Sequence, residues 1–137
     1  LFVEEIPQPR KKSDGVNIAI AIRFGIPVFV KPAKEDAKAE LNKAELSAGV
    51  LGVLVTNTGN VHLQVTSVDL KGLDSSGAEV FSEQIGGWYL LNGGTRLYTA
   101  PIPADVCAGL SKIDVEVVTD RLTLKGSAEA GKTRCRP

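Results

Sequence analysis

The sequence predicts an all-β chain arranged as an antiparallel sandwich, and three observations carry that prediction. Apolar and polar residues alternate with a period of two in most segments. Turn signals recur every 8–12 residues over the last two thirds of the chain. No long helical pattern separates these strands, which excludes a parallel α/β sheet.

The first clear alternation is Val16, Ile18, Ile20 and Ile22, interleaved with Asn17, Ala19, Ala21 and Arg23. It places four branched aliphatics on one strand face. The pattern continues through Phe24 to Val30 and stops at Lys31-Pro32. Pro27 cannot donate a ladder hydrogen bond, so an edge strand or a bulge is expected there. Leu1–Ile6 reads as an earlier strand, joined to this one by a polar loop over 7–15. The two make a hairpin, which is marginal in water when alone.

Residues 33–46 are rich in helix formers and charge and contain no β-branched residue, so they read as a solvated linker with a helical turn or two. From Ser47 the strand pattern resumes. Strands are expected at Val50–Thr56, Val61–Leu70, Ala78–Gln84, Trp88–Leu91, Thr95–Ala100, Lys112–Thr119 and Arg121–Glu129, with turns at Asn57–Asn60, Lys71–Gly77 and Asn92–Gly94. The domain reading is thus a hairpin over 1–32, a linker over 33–46 and a sandwich over 47–137.

Composition bounds the chemistry. The chain has 137 residues, 43% of them hydrophobic and 23% charged, enough to bury a core and too ordered in pattern for a disordered tail. Sixteen Lys+Arg balance sixteen Asp+Glu, so neither nucleic acid nor an anionic membrane is an expected partner. Apolar runs stop well short of the roughly 20 residues of a membrane helix, and membrane insertion is not expected. Met is absent, position 1 included, so the chain is expected to start at a processed or fragment end.

The reaction-centre inventory is thin. His62 is the sole histidine and alternates with Val61 and Leu63 in a strand pattern, the signature of a solvent-facing residue. No nucleophile elbow or glycine-rich phosphate loop occurs. An enzyme is not expected, nor is a cofactor. Cys107 and Cys135 could be two buried thiols or one disulfide, and a metal site lacks further soft ligands. The disulfide is the favoured reading, because Cys135 sits in a Gly/Lys/Arg tail that gains little from burial, and it would imply an oxidising compartment. Arg10-Lys11-Lys12 and Lys132/Arg134/Arg136 read as solvated loops. Trp88 and Tyr89 between glycine pairs read as a core or edge anchor, with a binding platform as the alternative.

The aliphatic row Val16, Ile18, Ile20 and Ile22 either closes the chain's own core or completes a partner's sheet. Here the sequence resembles a family. Leu1–Pro7, a variable loop, and Ile18-Ala19-Ile20-Ala21-Ile22-Arg23-Phe24-Gly25-Ile26-Pro27-Val28-Phe29-Val30-Lys31-Pro32 look like the last two strands (F and G) and linker exit of the first domain of periplasmic pilus-assembly chaperones of the PapD type. The "I-P-V-F-V" form is more like the archaic, spore-coat-type branch. Val55–Asn60 and Leu122–Gly126 resemble parts of the second domain. The family's sandwich and its donor-strand mechanism are themselves general examples of these physical rules.

The resemblance implies an immunoglobulin-like antiparallel β-sandwich preceded by the F–G hairpin of an incomplete first immunoglobulin-like domain. It implies a periplasmic chaperone that lends Val16, Ile18, Ile20 and Ile22 to pilus subunits and delivers them to an outer-membrane usher. The family's usual Lys before the linker exit corresponds to Pro27, which leaves Arg23 as the candidate carboxylate anchor. The first five or so strands of that first domain are not in this sequence, so the hairpin 1–32 is a candidate for self-association. The rival reading is a structural surface or pilus module that uses its Ile-rich strand in its own core.

Overall fold

A β-branched residue at every second position gains most when one strand face is buried, and the computed structural model, which describes residues 1–6, 20–131, 134 and 135, is built largely from such segments. It divides into two units, Leu1–Val30 and Lys31–Pro137.

In the first unit β1 (Phe2–Glu4) pairs antiparallel with β2 (Arg23–Gly25), matching Phe2 to Gly25, Val3 to Phe24 and Glu4 to Arg23. Hydrogen bonds beyond the strand ends extend the ladder. Glu5 N donates to Ile22 O at 3.0 Å, and Leu1 and Ile26 exchange bonds of 2.8 and 3.0 Å. The hairpin is therefore present. Among the described residues 20–30 the expected long strand is reduced to β2, three residues, and Val16 and Ile18 lie outside the described residues. Beyond Ile26, Pro27 has no N–H to carry the ladder onward.

The second unit is an immunoglobulin-like antiparallel β-sandwich. One sheet holds β3 (Ala39–Ser47), β4 (Val50–Asn57) and β8 (Thr95–Pro101) in the order β3-β4-β8. The other runs β10-β9-β5-β6, from β10 (Thr123–Glu129) and β9 (Lys112–Thr119) to β5 (Leu63–Leu73) and β6 (Glu79–Gly86). A short β7 (Tyr89–Leu90) also pairs with β5. The single turn α1 (Ala104–Cys107) joins β8 to β9. Leu51, Val53 and Val55 of β4 face Leu63, Val65, Val68 and Leu70 of β5 and Ile113, Val115 and Val117 of β9 in one core cluster. Each such aliphatic contributes about 1.5–3 kcal/mol relative to exposure.

The expected linker over 33–46 is a strand for its second half. β3 pairs with β4 from Ala39 to Ser47, and its inward residues are Ala39, Leu41, Ala44 and Leu46. The register shifts between Leu41 and Lys43, a β-bulge at Asn42. The bulge breaks the period of two into steps of two, three and two, which hides the alternation. Pairing with β4 then overrides the helix preference of Ala, Glu and Lys.

Tight chemistry fixes the turns. β3 and β4 are joined by Ala48 and Gly49, both at positive φ (50° and 74°), as a two-residue hairpin requires. Between β5 and β6, Asp74 Oδ1 accepts Ser76 N, Ser76 Oγ and Ala78 N, which holds its carboxyl below the ordinary range. β6 and β7 form one edge strand interrupted at Gly87, where a Cβ would lie 2.0 Å from Val65 O. Only glycine lets the two backbones approach so closely. The Arg121 guanidinium donates to Glu35 Oε2 at 2.9 Å and keeps that carboxyl low.

Two cross-links organise the sandwich. Asn57 is fully buried. Its Nδ2 donates to Val61 O (2.7 Å) and Leu90 O (3.0 Å), while its Oδ1 accepts Gly59 N at 2.9 Å. Its backbone N donates to Gly94 O and its carbonyl accepts Gly93 N. The second cross-link is covalent. Cys107 and Cys135 form the expected disulfide, with Cα atoms 5.8 Å apart across 28 positions of sequence. It holds the tail beside the β3–β4 turn, where Gly49 N donates to Arg134 O.

Two measurements test these ties. Asn57→Ala leaves two carbonyls and one amide without their partner and is expected to cost about 3–4 kcal/mol in denaturant unfolding. A loss under about 1 kcal/mol would show that water replaces the side chain. Cys135→Ser opens a loop whose closure is worth about 3.5 kcal/mol in the chain-entropy model, so stability in denaturant unfolding should fall by about that amount, with an m-value that rises as the unlinked unfolded chain expands.

Candidate functional site

The alternation that makes a strand also sorts its side chains, and the register of the hairpin shows how. Leu1 pairs with Ile26, Val3 with Phe24 and Glu5 with Ile22, so these six side chains share one face. Phe2, Glu4, Arg23 and Gly25 share the other. The first face is apolar except for Glu5 at its end. Ile20 stands at the next position of the same alternation and is 75% exposed, while Ile22 is 48% exposed. Leu1, Val3, Phe24 and Ile26 are exposed as well.

The structure therefore brings Ile20 and Ile22 into an uncovered apolar surface, and adds four residues that the sequence reading left out of the site. The signal for them was present. Phe24 and Ile26 extend the same period of two, and Leu1 and Val3 follow once the pairing across the hairpin is known. Val16 and Ile18 lie outside the described residues.

Arg23 has a different place. Its guanidinium carbon lies 4.3 Å from the centroid of the Phe2 ring, a cation–π contact on the face opposite the aliphatic row. It marks the end of β2 with a fixed positive charge and does not interrupt the apolar surface.

The ladder also tells which backbone groups remain on offer. In an antiparallel pair, successive residues point their N–H and C=O alternately toward the partner strand and away from it. Leu1, Val3, Glu5, Ile22, Phe24 and Ile26 point inward in this hairpin. Arg23 and Gly25 thus point their amides out along the free edge of β2, as Phe2 and Glu4 do along β1.

The edges of the sandwich are built differently. On β6, Glu83 pairs with buried Leu70 and so occupies an inward register position between Phe81 and Ile85. On β8, Arg96 pairs with buried Val55 and so shares the register face of Tyr98 and Ala100, but it stays exposed at the strand's start, its guanidinium carbon 5.7 Å from the Tyr98 ring centroid. An inward-pointing charge on an edge strand penalises the addition of another strand and its apolar cover. At the opposite side, β10 lies against β3, and a Cβ on Gly126 would be 3.0 Å from Leu41 Cδ1.

The remaining candidates separate. Trp88 is 63% exposed at the break between β6 and β7, so it is no core anchor. It meets Tyr89 edge-on at 6.0 Å, and Tyr89 in turn meets His62 at 5.8 Å. The glycine pair before Trp88 was visible in the sequence, whereas the exposure of its side chain was not. His62 is half-buried just before β5. Among the described residues no three His, Cys, Asp or Glu side chains come together as metal ligands. No helix among them is long and apolar enough to cross a membrane. Arg10, Lys11, Lys12, Lys132 and Arg136 lie outside the described residues.

Comparison with known proteins adds little. No family model matches the chain, and no curated protein matches it. Among solved structures it is similar to the ligand-binding region of serine-glutamate repeat protein A of Enterococcus faecium, at 14% identity and a TM-score of 0.38, over 68% of this chain and 90% of that one. A likeness of that size carries no functional argument.

Replacing both core-side charges, with Glu83→Val and Arg96→Val together, should leave the sandwich folded and add concentration-dependent association in analytical ultracentrifugation. The same sedimentation as the parent chain would show that these charges do not guard the edges.

Proposed function

We propose that this chain acts as a periplasmic chaperone of pilus or fimbrial subunits by donor-strand complementation, and delivers them to an outer-membrane usher. The observation that carries the reading is the exposed apolar face of the hairpin, with Ile20 and Ile22 in line with Phe24 and Ile26. A subunit that lacks a strand presents the counterpart: unpaired backbone groups flanking an open groove. The hairpin offers outward amides at Arg23 and Gly25 and a row of aliphatics to fill the groove, and each fully buried aliphatic contributes about 1.5–3 kcal/mol.

In this mechanism Val16 and Ile18 extend the donated row N-terminally, and Arg23 pairs with a carboxylate of the bound subunit. The chain performs no covalent chemistry and uses no cofactor. The Cys107–Cys135 disulfide supports an oxidising compartment, of which the periplasm is one. The guarded edges of β6 and β8 support a division of labour in which strand exchange is confined to the hairpin.

The structural-module reading places the Ile-rich strand in the chain's own core. The exposure of Ile20 and Ile22 favours donation instead.

Co-purification with a pilus subunit encoded nearby tests the proposal, comparing the parent chain with Ile20→Asp and Ile22→Asp. A carboxylate placed in the donated face costs several kcal/mol on burial unless it is neutralised. Each variant should therefore lose capture by a large factor while keeping the unfolding transition of the sandwich. Equal capture by parent and variants would refute donation through this face. So would the absence of capture by the parent chain.

A further inference from the structure

Asn92-Gly93 stands in the connection between β7 and β8, and Asn92 is exposed. An asparagine followed by glycine is chemically self-reactive. The Gly93 nitrogen can attack Asn92 Cγ, a carbon–nitrogen bond forms, and the side-chain amide nitrogen leaves as ammonia. Water then opens the resulting succinimide at either carbonyl and yields aspartate or isoaspartate. The reaction needs no oxidant and no cofactor. Glycine at the second position hinders the attack least, because it has no Cβ.

The structure opposes that attack at the nucleophile and its backbone. The Gly93 N–H is donated to the Asn57 carbonyl oxygen at 3.1 Å, so the nucleophile is held in a hydrogen bond and directed at another residue. Gly93 is fixed at a φ of 68°. On its far side, Gly94 N donates to Leu91 O at 2.8 Å, and Asn57 N donates to Gly94 O at 2.9 Å. Asn57 is buried and holds Leu90 O through its side chain, so it grips the connection at both ends.

We propose that Asn92-Gly93 is a self-modification site locked by Asn57, which reacts only when the β7–β8 connection opens. Either product adds a negative charge beside the lock, and isoaspartate also lengthens the main chain by one carbon. A connection so altered cannot reclose around Asn57 with the same bonds. The modification therefore turns a reversible local opening into a permanent one. This inference is independent of the proposed chaperone role.

The full chain, folded in buffer and unfolded in guanidinium, is incubated at the same mildly alkaline pH and temperature. Modification is read as a gain of about one dalton on the peptide containing Asn92, with isoaspartate confirmed by enzymatic methylation. The other asparagines, none followed by glycine, serve as internal controls. The unfolded chain should react at least about tenfold faster at Asn92 than the folded chain, since reaction in the latter follows the population of the open connection. Equal rates would overturn the proposal. Asn57→Ala, with native circular dichroism verified, should react at an intermediate rate. The variant keeps the backbone bonds of position 57 to Gly93 and Gly94 and loses the side-chain bond to Leu90 O, so a folded Asn57→Ala chain that reacts as slowly as the parent would overturn the share of the lock assigned to the Asn57 side chain. If that variant does not fold, the comparison of folded and unfolded parent chain still decides.

Discussion

The buried amide of Asn57 is the constraint on which the rest of the sandwich depends. It ends β4, closes the turn into β5 through Val61 and Gly59, and holds the β7–β8 connection through Leu90. One residue thereby ties the two sheets together at one end of the sandwich. Buried polar groups are costly unless fully paired, and a fully paired one defines a single arrangement. Asn60 continues the tie, accepting Asp36 N at 2.7 Å and donating to Lys34 O at 2.8 Å, which fixes the approach to β3.

Against that closed unit the hairpin is the chemical opposite. In the sandwich, aliphatic faces meet one another and the exposed edges β6 and β8 carry charges on their core-side faces. In the hairpin, an aliphatic face of comparable character has no cover among the described residues, and its ladder turns backbone amides outward on both sides. Two solutions to the edge-strand problem thus occur in one chain, one that blocks pairing and one that invites it.

Much of this was legible from residue order. The strands from β4 to β10 follow the alternation, and their ends follow the Asn, Gly and Asp turns. What was hidden has local causes. The bulge at Asn42 disguised β3 as a helix-prone linker. Trp88, placed as a core or edge anchor from the glycine pairs around it, is exposed beside the close approach of Gly87 to Val65. Glu83 and Arg96 look like ordinary surface charges until register places them on the core-side face of their edge strands. The apolar face of the hairpin was half visible: Ile20 and Ile22 stand in an obvious row, but Leu1 and Val3 join it only through cross-strand pairing.

The position of the disulfide has a mechanical consequence. Cys107 precedes β9 and Cys135 follows β10, so both strands lie inside the covalent loop. Tension applied to the chain beyond Cys135 is carried by the sulfur bridge to the end of α1 and on into β8. It does not reach the β9–β10 ladder, which would otherwise be peeled apart one hydrogen bond at a time from its free end. Under load from that direction the terminal strand is shielded, and rupture must begin elsewhere in the sandwich.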